Sequence, residues 1–188
     1  METKRRVRIS KYLSKHLRHQ PERLGLDLSP GGWVPVEELL AALRMNNFPV
    51  SRRELEQVVA ENDKQRFSLD QNKEMIRANQ GHSIDVDLGL EPVSPPIRLY
   101  HGTARQNLDP ILHTGLRRMG RHHVHLCRLP EEARKVGARR GRPVVLAIDA
   151  AGMAEAGHRF FVSDNDVWLV EKVQPRFLSR LEPNGSQG

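Results

Sequence analysis

Apolar positions in the first part of the chain recur at helical spacing three times. Ile9, Tyr12, Leu13 and Leu17 share one face, and Pro21 closes that segment. Leu26 and Leu28 predict a short extended piece before a turn at Gly31-Gly32. Val36, Leu39, Leu40 and Leu43 form a second helical stripe. Ser51 and Glu54 have the spacing of a capping box, and Leu55, Val58 and Val59 continue a third helix behind it. The period then changes. Arg66-Phe67-Ser68-Leu69 and Glu74-Met75-Ile76-Arg77 predict two short strands around a turn at Asp70-Gln71-Asn72. Three helices and a hairpin suggest a winged-helix-like module, an architecture that often binds nucleic acid without proving it.

A break follows at Pro92-Val93-Ser94-Pro95-Pro96, where three prolines in five positions can continue neither a helix nor a central strand. Beyond it short strands alternate with short helices. Leu99-Tyr100-His101 reads as a strand, and Leu108, Ile111 and Leu112 as a helix face stopped near Gly115. Val124-His125-Leu126 is strand-like and residues 131–136 are helix-like. Val144 to Ile148 is a buried-strand run ending at Asp149, and Val167-Trp168-Leu169-Val170 is another. The expected fold class is therefore α+β in two lobes, residues 1–93 and 97–188. No GxGxxG and no GxxxxGK[ST] occurs, which argues against Rossmann and P-loop nucleotide sites.

Composition narrows this picture. The 188 residues are 38% hydrophobic, enough for a modest core divided between two lobes, and carry a net charge of +7 that favours a polyanionic partner. The one cysteine, Cys127, permits no internal disulfide and points to a reducing compartment. The basic N-terminus is followed by no apolar stretch of the kind a secretory signal needs, and no run approaches the roughly 20 apolar residues of a membrane span. A cytoplasmic, monomeric protein that works away from the membrane is the expectation.

Several segments could carry chemistry, and each has a plainer explanation. Arg18-His19 ends the first helix, where cations complement the helix dipole; equally, a planar guanidinium fork beside an imidazole suits a phosphate. Lys64-Gln65-Arg66-Phe67 opens a hairpin strand and would also serve as a charged, aggregation-resistant edge. Gln80-Gly81-His82-Ser83 reads as a polar turn. Tyr100-His101-Gly102-Thr103 places a histidine, a glycine and a hydroxyl at a strand end, where a ligand could approach the backbone. In a strand, His123, His125 and Cys127 would share one face, but zinc sites draw ligands from separated segments, so no metal is expected. Gly137 to Pro143 forms a basic loop, and Ser163-Asp164-Asn165-Asp166 a polar turn feeding a strand.

Taken in order, these segments resemble the NAD⁺-dependent RNA 2′-phosphotransferase family. The matching stretches are Ser10 to Leu13, Leu17-Arg18-His19, Gly32-Trp33-Val34, Glu61 to Phe67 and Gln80 to Ser83. They continue with Tyr100 to Thr103, Arg121 to Leu126, Arg139 with Val144 to Asp149, and Asn165 to Leu169, so the likeness spans about Ser10 to Val173. The resemblance implies an RNA-binding winged-helix lobe joined to an ADP-ribosyltransferase-like lobe that binds NAD⁺. It implies a reactive set of Arg18, His19, Arg66 and Arg139, with Lys64 near the same phosphate. It also implies that His101, Gly102, Thr103, Arg121, His125 and Asn165 hold NAD⁺, a consumed co-substrate. The partner implied is RNA with an internal 2′-phosphate, tRNA-like. No step requires a metal.

The family resembles protein ADP-ribosyltransferases but lacks their catalytic glutamate, and here Val167 stands in that place. A phosphate nucleophile is already anionic and needs no general base, and a carboxylate beside it would repel it. Three positions depart from the family pattern: Cys127 where serine is usual, Asp166 where glycine or asparagine is, and His122 for a common asparagine. Two other readings stay open. One is ADP-ribosylation of terminal phosphates on RNA or DNA, a capping reaction with no second step. The other is a non-catalytic RNA-binding regulator.

Overall fold

A computed structural model of the chain describes residues 1–61 and 65–181. It consists of two compact units, Met1–Leu90 and Glu91–Gly188. The division falls in a stretch, residues 79–97, that holds neither helix nor strand. Val93 belongs to the second unit, where its N–H donates to the Phe160 carbonyl at 2.8 Å.

The first unit opens on helix α1 (Thr3–His19), which buries Ile9, Leu13, His16 and Leu17. Pro21 begins a short 3₁₀ turn that ends at Gly25 in the left-handed region, φ +66°. Strand β1 (Trp33–Pro35) leads into α2 (Val36–Met45), and α3 (Arg52–Ala60) follows. The Ser51–Glu54 capping box forms in both directions, with the Ser51 hydroxyl accepting from the Glu54 N–H and the Ser51 N–H donating to the Glu54 carboxylate. Strands β2 (Phe67–Leu69) and β3 (Met75–Ala78) are antiparallel neighbours, and β1 pairs on the other side of β3. The three helices and this sheet enclose one core around Leu13, Leu39, Leu43, Leu55, Phe67 and Ile76. The extended piece expected at Leu26 and Leu28 is not a strand. Leu26 is buried with its N–H held by the Pro21 carbonyl, Leu28 packs partly buried against the same core, and the strand that completes the sheet lies further on at Trp33.

The second unit is built on short antiparallel strands. Strand β4 (Arg98–Ala104) precedes α4 (Leu108–Thr114), which Gly115 ends at φ +81°. Then come β5 (Leu116–Arg117), β6 (Val124–Leu126), α5 (Pro130–Gly137) and β7 (Pro143–Asp149). Helix α6 (Ala150–Glu155) is capped by the Asp149 carboxylate, which accepts from the Gly152 N–H at 2.9 Å. The remaining strands are β8 (Phe160–Val162), β9 (Trp168–Val170), β10 (Lys172–Val173) and β11 (Leu178–Arg180).

Two three-stranded sheets, β11-β7-β4 and β6-β9-β8, meet through one reciprocal backbone pair between Tyr100 and Cys127, while β5 and β10 form a small ribbon. Val144 to Ile148 is buried at every position, as its unbroken apolar run requires. The fold is α+β with small antiparallel sheets. Strand β4 corrects the sequence expectation, because it runs through Gly102 and Thr103 to Ala104, paired with β7 along all seven residues. His101 and Gly102 therefore stand inside a strand and not at its end.

Candidate functional site

In the first unit three segments meet around the end of α1. The Arg18 carbonyl, left without an intrahelical partner at the helix terminus, accepts from the Ser83 N–H at 2.9 Å. The Ser83 hydroxyl lies 2.8 Å from Nδ1 of His19, so one residue ties down both the backbone and the imidazole. The Arg18 guanidinium donates from Nη2 to the Arg66 carbonyl at 3.3 Å and stands 6.0 Å from the centre of the Phe67 ring. Asn79 holds the same segment, its N–H on the same Arg66 carbonyl at 3.0 Å and its Nδ2 on the Gln65 carbonyl at 2.7 Å. Arg18 and His19 thus meet the backbone of Arg66, with a cation and an imidazole at the favourable end of a helix dipole. Lys64 lies outside the described residues.

In the second unit the link runs between strands. Nδ1 of His101, on β4, donates to the His125 carbonyl, on β6, at 3.0 Å. Burial holds the His101 pKa below its ordinary value, so the ring is neutral at pH 7 with its proton on Nδ1. Nη1 of Arg121 donates to Nδ1 of His125 at 3.1 Å, which makes that nitrogen an acceptor and places the His125 proton on Nε2. Burial and then the nearby charge of Arg140 lower the Arg121 pKa, although a guanidinium stays cationic.

Gly102 has a structural reason of its own. A Cβ there would lie 1.6 Å from the Ala133 carbonyl oxygen of α5, and one on Gly137 would lie 2.8 Å from the Thr103 oxygen. Backbone meets backbone between β4 and α5. Thr103 is buried, and its hydroxyl is 3.5 Å from Asn107 Nδ2. Asn165 Oδ1 accepts from the buried Ser163 hydroxyl at 2.8 Å. Arg139 is exposed, in the 3₁₀ turn Ala138–Arg140 that follows α5.

A family model for "RNA 2′-phosphotransferase, Tpt1 / KptA family" matches residues 4–172. The chain belongs to that family. It is 56% identical over 181 residues to a probable RNA 2′-phosphotransferase of Nostoc punctiforme, covering 96% of this chain and all of that protein. A probable RNA 2′-phosphotransferase of Trichormus variabilis is 57% identical over 181 residues, with 96% of this chain and all of that protein covered. One from Streptomyces griseus is 56% identical over 185 residues, 95% of this chain and 98% of that protein.

Within the RNA 2′-phosphotransferase match, from α1 to the first residue of β10, two departures from the family pattern acquire physical meaning. Asp166 sits at φ +56°, a left-handed conformation that glycine or asparagine tolerates more easily. Cys127 contributes mainly its backbone, paired both ways with Tyr100; burial and Glu132 push its thiol up to about 11, against the opposing pull of Arg139. Its sulfur is therefore a poor nucleophile at neutral pH. His123 packs its ring 5.5 Å from Phe161, and no group of three or more His, Cys, Asp or Glu among the described residues is placed to hold a metal ion. Sequence reasoning placed Ser83 in a polar turn and a family-matching stretch without a role of its own, and passed over Asn79. Only their contacts with His19 and with the Gln65-Arg66 backbone mark them as positioning residues.

Proposed function

We propose that this protein removes an internal 2′-phosphate from RNA by transferring it to NAD⁺. The meeting of Arg18 and His19 with the Arg66 backbone around the end of α1, in a chain of this family, is the observation that carries the reading. The first unit acts as a winged-helix-like RNA-binding lobe and the second as an ADP-ribosyltransferase-like lobe that takes NAD⁺. The RNA 2′-phosphate attacks C1″ of the nicotinamide ribose, and nicotinamide leaves. The ribose O2″ then attacks phosphorus, the RNA 2′-oxygen departs, and ADP-ribose 1″,2″-cyclic phosphate forms.

Each residue has a role in that scheme. Arg18 and Arg66 neutralise and orient the phosphate dianion, whose geometry matches a guanidinium fork. His19, its ring oriented by Ser83, bonds the phosphate or carries a proton in the second step. Arg139 stabilises charge that develops at phosphorus, and Lys64 adds a cation near the same group. His101, Gly102, Thr103, Arg121, His125 and Asn165 bind NAD⁺. The donor set fits: a cation for the pyrophosphate, and imidazoles of fixed tautomer for sugar hydroxyls or base edges.

The test is incubation with NAD⁺ and a short RNA carrying one internal 2′-phosphate. Nicotinamide, ADP-ribose 1″,2″-cyclic phosphate and RNA with a free 2′-hydroxyl are expected, in the presence of EDTA as in its absence. A stable ADP-ribosylated nucleic acid with no cyclic phosphate would replace this reading with terminal-phosphate capping. RNA binding without consumption of NAD⁺ would replace it with a regulator.

A further inference from the structure

Helix α1 carries more positive charge than its own fold accounts for. On its two sides the cations are treated differently. Arg5 and Arg6 are paired with acids of the third helical segment, Arg5 with Glu54 at 3.1 Å and Arg6 with Glu61. Lys4, Arg8, Lys11 and Lys15 are exposed, and among the described residues none of the four forms an ion pair. Their spacing alternates steps of four and three residues, and one more step reaches Arg18. At 3.6 residues per turn all five fall within about 80° of the circumference, opposite the buried Ile9, Leu13 and Leu17. The stripe is about 21 Å long.

Such a stripe works against the isolated helix. Like charges at i and i+4, as in Lys4–Arg8 and Lys11–Lys15, repel each other. The first turn contains no acidic residue, where the helix dipole favours one. Arg8 has one compensating contact, its guanidinium 5.2 Å from the centre of the Phe48 ring; a stripe that breaks two local rules and is otherwise unmatched among the described residues points to an anionic partner.

Apolar surface accompanies the charge. Lys4, Arg8, Lys11 and Lys15 rim a shallow groove whose other walls include Val7, Tyr12 and Phe48. Tyr12 stacks on Phe48 with ring centres 4.0 Å apart, and Val7 remains 46% exposed. The Tyr12 ring packs against both Phe48 and His16 and Phe48 is buried, so these rings serve the fold, and the row of cations is what tracks a phosphate backbone. The third helix leaves one exposed cation, Arg53, without an ion pair among the described residues. Its Arg52 is matched by Glu37 and Glu56, and its Glu54 by Arg5.

We propose that the outer face of α1 is a track for single-stranded RNA: Lys4, Arg8, Lys11 and Lys15 bind successive phosphates and lead the strand to Arg18. The proposal rests on the RNA reading given above and adds the surface that holds the flanking nucleotides. The third helix, which a winged-helix domain would ordinarily present to nucleic acid, is then not the main RNA contact.

The experiment compares the full-length protein with Lys4→Gln/Arg8→Gln/Lys11→Gln/Lys15→Gln. Binding of a fluorescent 12-nucleotide single-stranded RNA is followed by anisotropy across a salt series. A control, Arg44→Gln/Arg98→Gln/Arg159→Gln/Arg176→Gln, removes the same charge from exposed sites elsewhere. The stripe variant should bind at least about tenfold more weakly, and its log–log salt slope should shrink by about 3, near 0.7 for each lost phosphate contact. Its Tm should not fall, because the removed charges repel one another. Equal affinity and slope in the stripe variant and the wild type would overturn the track. An equal loss in the control would overturn it too, by showing that net charge alone drives binding. Failure of the wild type to consume NAD⁺ would count against the phosphotransfer reading only, because the anisotropy comparison involves no turnover.

Discussion

In the first unit the candidate side chains hang from the ends of elements. Arg18 and His19 close a helix, Arg66 stands just before a strand, and both places are fastened by a loop, residues 79–83, through backbone carbonyls and one serine hydroxyl. In the second unit His101, Gly102 and Thr103 stand inside β4, and the His101 ring is bonded to the neighbouring strand β6. Under the proposed function the contrast follows from what each group must do. Charge acts over several ångströms, so long cations on element ends can adjust to a phosphate. A neutral imidazole recognises its ligand by direction, which a rigid strand fixes better than a loop.

The largest test of this contrast is Gly102→Ala. Its Cβ would meet a backbone carbonyl at 1.6 Å, so no side-chain rotation can relieve the clash. A loss of about 3 kcal/mol or failure of the second unit to fold is expected, read by thermal unfolding. A Tm within a degree of the wild type would mean that β4 and α5 are not in such close contact.

Next come Arg66→Ala and Arg139→Ala. Each should slow the second chemical step by on the order of 10²–10³, because charge on phosphorus develops most there. The 2′-phospho-ADP-ribosylated RNA should then accumulate as a slower gel band. Arg66→Lys should rescue little, since an ammonium cannot copy a bidentate fork. Wild-type turnover with no such band, in both alanine variants, would refute the arginine mechanism.

Ser83→Ala should cost about tenfold in turnover, the worth of one hydrogen bond that orients a charged group. It should also move the limb of the pH–rate profile that belongs to His19, with Ser83→Thr restoring both. A drop in Tm with the pH profile unmoved would make Ser83 a structural residue only.

Acid should weaken the second unit. His101 has its pKa lowered by burial, so the unfolded chain binds the proton more readily. The stability this contributes is present above the unfolded value of about 6.5 and is lost as pH falls below it. His123 is shifted the same way, chiefly by burial. Tm should therefore fall between pH 7.5 and 5.5, and His101→Gln should flatten part of that fall. The smallest effect expected is from Asp166→Gly. Relief of the left-handed backbone at φ +56° should raise Tm by about a degree.

The sequence was most legible where a local rule decides the outcome. The capping box at Ser51 and Glu54 formed, and Gly115 ended its helix, because both depend on residues within a turn of each other. Strand β1 was not legible. Three residues leave no period to count, and its partner, Met75 to Arg77, is some 40 positions away. Gly102 read as the end of a strand because glycine is unfavourable inside one, yet seven ladder pairs with β7 carry the strand through it.

By itself the sequence determined the family of this protein, since ordered short motifs survive across 169 matched positions, residues 4–172. It also determined that the period of the chain changes from helix to strand after residue 60. The tertiary structure alone decided that Ser83 holds His19 across 64 positions and that a missing Cβ admits α5 against β4. It alone decided that His101 is neutral, because burial and the His125 carbonyl are both set by a strand arriving from elsewhere in the chain. Periodicity and capping act over a few residues and leave a mark in sequence. Desolvation, close backbone approach and side-chain orientation depend on what is brought near in space, and chain position does not encode that distance.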